Sequence, residues 1–241
     1  MKCILLLSAV LVSTWAYSPE IKYIVGGKSG TGKTTRYWDC CKPSCSWKEN
    51  IRTPSKVPVA SCAKDGVSIL NPSEKSGCED NGKSYMCNNQ QPFQVNATLG
   101  YGFAAASFTG GTDTSWCCAC FKLDFTDQLV GKSLILQVTN TGGDLGANQF
   151  DIALPGGGIG IFNKGCHFQW NAPWTGWGDQ YGGVHSRNDC LTLLPKQLQK
   201  GCLFRFDFMK NANNPNMRFQ QVECPAEIVR ISKCSLPVRE D

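Results

Sequence analysis

The chain has little of what several large functional classes require. Only two of its 241 residues are histidine, His167 and His185, and charged residues make up 18%. There is no pair of C-x-x-C motifs to complete a zinc site with so few imidazoles. There is no G-x-S-x-G elbow for a serine hydrolase. No run of Lys and Arg marks a nucleic-acid surface, and the formal charge of +5 is spread along the chain. No stretch is long and apolar enough to be a membrane helix. No internal repeat and no second domain are visible.

What is abundant is cysteine, at 15 residues, with glycine at 25. Met1 and Lys2, a short apolar run over 3–12 and small residues up to Ala16 read as a secretory leader, residues 1–16. Removing it takes Cys3 away and leaves an even number of cysteines, enough for seven disulfides. That density belongs in an oxidising compartment, so the protein is expected outside the cell. Spacing alone does not give the pairing. About 225 residues remain, enough for one domain with its own core.

Residues 17–33 read as a short flexible leader into a domain at 34–241. They contain a look-alike: Gly27 to Thr34 fits the phosphate-cradling G-x-x-x-x-G-K-[ST] pattern. Such a loop works only where a helix follows and aims its amides at phosphate. The following Arg36-Tyr37-Trp38-Asp39-Cys40-Cys41-Lys42-Pro43 is a poor helix start, so a nucleotide site is not expected. Residues 47–100 are rich in Pro, Gly, Asn and Ser and read as loops, with a glycosylation sequon at Asn96. Short strands are expected at 101–107, 118–125, 133–139, 150–153, 203–208 and 219–224. One helix is expected over 188–199, where Leu191, Leu194 and Leu198 recur at helical spacing. Many short strands and little helix indicate an all-β barrel or sandwich.

The densest chemistry lies in Thr35-Arg36-Tyr37-Trp38-Asp39-Cys40-Cys41-Lys42-Pro43-Ser44-Cys45, with an acid beside two aromatics and three cysteines. This segment resembles the signature of the family 45 glycoside hydrolases, which are endoglucanases. Further matches follow in order: Gly100-Tyr101-Gly102-Phe103, Trp116-Cys117-Cys118-Ala119-Cys120, Thr141-Gly142-Gly143-Asp144-Leu145-Gly146, Phe150-Asp151, Pro155-Gly156-Gly157-Gly158 and Arg218-Phe219-Gln220-Gln221-Val222. The resemblance spans roughly residues 34–234.

The resemblance implies a six-stranded double-psi β-barrel with long disulfide-tied loops. It implies the pairs Cys40–Cys166, Cys41–Cys78, Cys45–Cys117, Cys62–Cys87, Cys118–Cys234, Cys120–Cys224 and Cys190–Cys202. It implies inverting cleavage of internal β-1,4-glucosidic bonds, with Asp39 as general base, Asp151 as general acid and Asp144 assisting. No metal and no organic cofactor is expected. The partner is a β-1,4-glucan, with no nucleic acid and no membrane, and the protein is expected to be a monomer without a separate cellulose-binding module. Glycoside hydrolysis needs two carboxyl groups flanking the bond, one holding a proton and one ionised. The flanking Phe150 and Ile152 suggest desolvation of Asp151, which suits an acid. Sugar rings offer apolar C–H faces to aromatics. Tyr37, Trp47, Phe162, Trp170, Trp174, Trp177 and Tyr181 are therefore candidate substrate contacts, with 170–181 reading as an aromatic loop able to border a groove, and each of these rings reads equally as a core aromatic. Thr35 is a further candidate contact, and Lys42 reads either as structural or as a contact to sugar hydroxyls. Family members often carry His where this chain has Gln149, so a titrating role at that position is missing. The alternative reading is a non-hydrolytic, expansin-like wall-loosening protein. Such proteins share the barrel and an acid like Asp151 but lack the base, and Asp39 in its full motif favours hydrolysis.

Overall fold

The computed structural model describes residues 18–52, 56–110 and 112–236, and the expected secretory leader lies outside them. The strands in chain order are β1 (Ser29–Tyr37), β2 (Ser61–Cys62), β3 (Tyr85–Met86), β4 (Phe93–Gln94), β5 (Leu99–Ser107), β6 (Cys120–Phe125), β7 (Ser133–Asn140), β8 (Gln149–Ala153) and β9 (Asn216–Val222). The α-helices are α1 (Lys164–Trp170), α2 (Arg187–Thr192), α3 (Lys196–Asp207) and α4 (Ala226–Ser232). Six strands run in the order β5-β7-β6-β9-β1-β8, and β8 pairs back onto β5 to close a barrel. The pairs β1/β8 and β5/β7 are parallel, and the remaining joins are antiparallel. This is the double-psi barrel that the resemblance implied. Closure removes exposed sheet edges.

Side-chain alternation gives each strand one inner and one outer face. Phe150 and Ile152 of β8, Phe121 and Leu123 of β6, and Phe219 of β9 fill the interior. There the rings of Phe108, Phe121, Phe150 and Phe219 meet at centroid distances of 5.0–5.9 Å. Burying each such ring contributes about 1.5–3 kcal/mol. The outer face carries Tyr101, Phe103 and Ala105 of β5, in one cluster with Leu194, Leu198 and Cys202.

Three expectations are corrected. The flexible leader does not reach Lys33: Ser29 to Lys33 form the first half of β1, paired with β9. Its glycines serve close approach rather than flexibility. A Cβ on Gly32 would lie 1.8 Å from the Asn148 carbonyl oxygen, and one on Gly30 would lie 3.1 Å from the Phe219 ring. The phosphate-loop look-alike therefore runs into a strand, and no helix follows it. Residues 203–208 are not a strand: 203–207 form the C-terminal half of α3 and Phe208 caps it. Leu194, Leu198 and Cys202 recur every four residues and face the barrel, and a short apolar run reads equally as strand or buried helix. The helix expected over 188–199 is two helices. A Ser186–Asp189 capping box opens α2, and Pro195 sets the start of α3.

All seven implied disulfides are present. Apart from β2, β3 and β4, the described residues of 47–98 are turns and short 3-10 segments, as expected, and the bridges at Cys62, Cys78 and Cys87 tie them down.

Candidate active site

One row of residues crosses four neighbouring strands on the barrel's outer face. Asn140 of β7 pairs with Ala105 of β5, Ala105 with Asp151 of β8, and Asp151 with Thr35 of β1. The β5/β7 register shifts between Ala104 and Ala105, a bulge that bends the sheet at this row. Ala105 is small, so the Asp151 carboxyl has room above it. Phe150 and Ile152 point the other way, into the barrel. The sequence-level reason for desolvating Asp151 is thus corrected: its chain neighbours point into the barrel and do not shield it.

Asp39 follows the last residues of β1 and is buried. Its Oδ1 accepts a hydrogen bond from the Cys41 N–H at 2.9 Å. Cys40, between them, is held at φ 64°, a left-handed conformation uncommon for a residue with a side chain. The Cys40–Cys166 bridge fixes this turn to α1. The start of α1 packs so closely that a Cβ on Gly165 would lie 2.3 Å from the Asp39 carbonyl oxygen.

Burial pushes the Asp39 carboxyl up to about 6, against the downward pull of the Cys41 amide. Burial pushes Asp151 higher, to about 7, with the negative charges of Asp144 and Asp39 adding to the rise. The Thr35 hydroxyl bonds to Asp151 and pulls the other way. Asp151 Oδ1 is buried with no hydrogen-bond partner among the described residues. Asp144 is exposed on the glycine-rich loop, near enough to act electrostatically on Asp151. The three expected acids therefore share one field. Tyr37 lies in the same field: burial and the charges of Asp39 and Asp151 raise its hydroxyl well above the usual range. It stays neutral and accepts a hydrogen bond from Asn140 Nδ2 at 3.1 Å.

Two amides organise these groups. Asn140 Oδ1 accepts from the Ser44 N–H at 2.8 Å, tying Tyr37 to the segment after Asp39. Gln149 Nε2 donates to Thr35 Oγ1 at 3.0 Å, and its Oε1 accepts from the Gly146 N–H at 3.0 Å. A chain of bonds thus runs from the Asp144 loop through Gln149 and Thr35 to Asp151. Sequence reading missed Asn140. Its only signal was its position, ending the clearest β run just before the Thr141-Gly142-Gly143-Asp144 turn.

The other expected contacts divide. Phe162 and Tyr181 are exposed, and Trp47 is half-buried. Trp177 is buried in the outer core. Lys42 fits the structural one of its two readings: its ammonium donates to the carbonyls of Pro72 and Glu74 at 2.5 and 2.9 Å and lies over the Trp47 ring. It is a strut under the loops, with its donors already used. Tyr181 is carried on a loop clamped by two guanidiniums, since Arg36 and Arg205 both donate to the Gly182 carbonyl. That loop packs on the Pro155-Gly156-Gly157-Gly158 turn without clearance. A Cβ on Gly183 would lie 1.8 Å from the Gly156 oxygen.

Residues 31–235 match the pattern of glycosyl hydrolase family 45. The chain is 58% identical over 219 residues to an endoglucanase of Phaedon cochleariae, covering 91% of this chain and 90% of that one. It is 50% identical over 210 residues to an endoglucanase of Cryptopygus antarcticus, covering 87% and 91%. The crystal structure of a cellulase from that springtail matches with a TM-score of 0.80 and 48% identity, over 87% of this chain and 98% of that one. With its barrel, its disulfides and its paired buried carboxyls, the chain belongs to glycosyl hydrolase family 45.

Proposed function

We propose that this protein is a secreted endo-β-1,4-glucanase that inverts the anomeric carbon, with Asp151 as general acid and Asp39 as general base. The observation that carries this reading is the placement of two buried carboxyls in one electrostatic field, Asp151 on β8 beside Thr35 and Asp39 at the turn off β1. Burial lifts both toward neutrality, so the pair can hold one proton near neutral pH, and we assign that proton to Asp151. Its unpartnered Oδ1 is free to present that proton to the glycosidic oxygen. As the C–O bond breaks, Asp39 takes a proton from water, and the water oxygen bonds to the anomeric carbon from the opposite face. One displacement inverts configuration. The step ends with Asp151 ionised and Asp39 protonated, and exchange with solvent resets both. Asp144 holds negative charge near Asp151 and favours its protonated form. Exposed Phe162 and Tyr181 offer ring faces to sugar C–H groups. Among the described residues no helix is long and apolar enough to cross a membrane, which agrees with export.

The test follows viscosity and reducing ends together on carboxymethyl cellulose. Internal cutting lowers viscosity early, and end-wise release of short products would sink the endo assignment. Proton NMR of a cello-oligosaccharide digest, read before mutarotation, should show the α-anomer first. First appearance of the β-anomer would make Asp39 a nucleophile. Inversion requires the carboxyls to stand about 6.5–9.5 Å apart, leaving space for water, rather than about 5–5.5 Å.

A further inference from the structure

We infer that Trp174, backed by His167 and walled by Phe168, is a binding platform for a single neutral glucan chain, set beside the catalytic row rather than in it. The stretch Gly165-Cys166-His167-Phe168-Gln169-Trp170-Asn171-Ala172-Pro173-Trp174-Thr175-Gly176-Trp177-Gly178 contains no Asp, Glu, Lys or Arg. It is nonetheless exposed at its centre: Trp174 is 50% accessible and Phe168 44%. Large exposed aromatics without charge around them suit a neutral, hydroxyl-rich ligand with apolar C–H faces. A nucleic acid or an anionic lipid surface calls for Lys and Arg, which this stretch lacks.

The platform is held in place before any ligand arrives. The Trp174 ring stacks on His167 at 3.7 Å and 19°, so one indole face is covered and the other is free. The imidazole is itself fixed, with Nδ1 bonded to the Ala172 carbonyl at 2.8 Å. Phe168 stands edge-on to Trp174, at 6.0 Å and 84°. Two rings at right angles form a corner, not a flat strip. A corner accepts one glucan chain stacked on the indole with its edge against the phenyl. It does not match the planar face of a cellulose crystal. Alongside lies a recess of about 440 Å³ between this loop and the α2–α3 turn, lined by Trp170, Pro173, Trp177, Leu193 and Pro195.

The platform is also tied covalently to the turn that carries Asp39. His167 and Phe168 directly follow Cys166, whose bridge to Cys40 adjoins Asp39. A chain resting on Trp174 is thus anchored to the same rigid element that fixes the base. The choice of a glucan rests on the function proposed above, while the platform geometry does not.

The test uses affinity electrophoresis through hydroxyethyl cellulose, on an Asp39→Asn background so that the polymer is not cut. Trp174→Ala should lose retention about tenfold and Phe168→Ala about threefold, while Trp174→Phe keeps most of it. In the active enzyme, Trp174→Ala should lower the ratio of polymer to cellotetraose turnover at least fivefold. If Trp174→Ala fails to fold, Phe168→Ala and Trp174→Phe read the same question. Parent-like retention in all three variants, or equal losses on polymer and cellotetraose, would overturn the platform. So would a change of oligomeric state in Trp174→Ala with retention unchanged, which would make the corner a contact between protein chains. If the parent is retained but cuts no glucan, the catalytic reading fails and the platform stands.

Discussion

The barrel interior and the loops above the catalytic row are held by different physics. Inside, Phe108, Phe121, Phe150 and Phe219 interlock with aliphatic neighbours, and no disulfide is needed among them. Above, the described residues of 38–98 have almost no regular structure and hold their shape through covalent bridges at Cys40, Cys41, Cys45 and Cys62. Buried struts such as Lys42 under Trp47 add to this. The site lies at the seam. Asp151 is on a strand and inherits the rigidity of the barrel, whereas Asp39 sits at the first turn off β1 and inherits that of the bridges. The proposed catalytic pair draws on both regions and is placed correctly only while both are intact.

Breaking either carboxyl gives the largest effect. Asp39→Ala and Asp151→Ala should each lower turnover of soluble glucan by at least about 10³-fold, with the thermal transition retained. Near-full activity in Asp39→Ala would show that the turn off β1 does not carry the base.

Breaking the bridges tests the seam directly. Mild reduction should abolish activity while far-UV circular dichroism of the barrel persists, because the loops lose their frame first. Cys40→Ser with Cys166→Ser should lose about 2–5 kcal/mol of stability and most of the activity. Simultaneous loss of barrel signal and activity on mild reduction would mean that the two regions fold as one unit.

Much of this division was legible in the chain. An all-β domain rich in disulfides follows from the short strands and the even cysteine count, while the seven pairings, the closed six-stranded barrel and the assignment of the acids come from the family resemblance. What failed or stayed open depended on contacts distant in sequence. Gly30 and Gly32 look flexible until Phe219 and Asn148 are brought against them. The 203–208 run looks like a strand until the barrel offers a face to Leu198 and Cys202. Lys42 reads either as structural or as a sugar contact until the carbonyls of Pro72 and Glu74 close on its ammonium. Local pattern fixes which residues are apolar or charged, but not which partner arrives from a hundred residues away.

A titration sharpens the comparison further. Both carboxyls have raised native values, so the native state binds protons that the unfolded chain, near 3.8, has released. Their stabilising contribution is complete below about pH 3.8 and is lost as pH rises through about 6 for Asp39 and about 7 for Asp151. At pH 8 both are ionised and costly. Asp39→Asn should therefore raise the pH 8 melting temperature, by up to about 3 kcal/mol in stability, and change little at pH 3.5. Activity should follow a bell with its maximum between about pH 6 and 7. A melting temperature unchanged at pH 8 would mean that Asp39 ionises as freely as in water.

The smallest effect belongs to Gln149, and it isolates how the barrel side sets the acid. Gln149 is buried and touches neither carboxyl by any hydrogen bond observed. Its amide holds Thr35 Oγ1 on one side and the Gly146 N–H on the other. When the Thr35 hydroxyl accepts from Gln149, its own proton is turned toward Asp151, and that bond lowers the Asp151 value. Gln149→Leu removes the donor and leaves Thr35 free to rotate. Asp151 then loses its one lowering hydrogen bond, and the alkaline limb of the pH profile should move upward by a fraction of a unit. The same change frees Gly146, so the Asp144 loop loosens and turnover falls about three- to tenfold. The two consequences separate by rescue. Gln149→Glu can still accept from Gly146 but cannot donate to Thr35 when ionised, so it should retain loop-dependent turnover better than Gln149→Leu at neutral pH. If Leu and Glu variants lose turnover equally and neither shifts the alkaline limb, Gln149 only fills space, and the acid is tuned by burial alone.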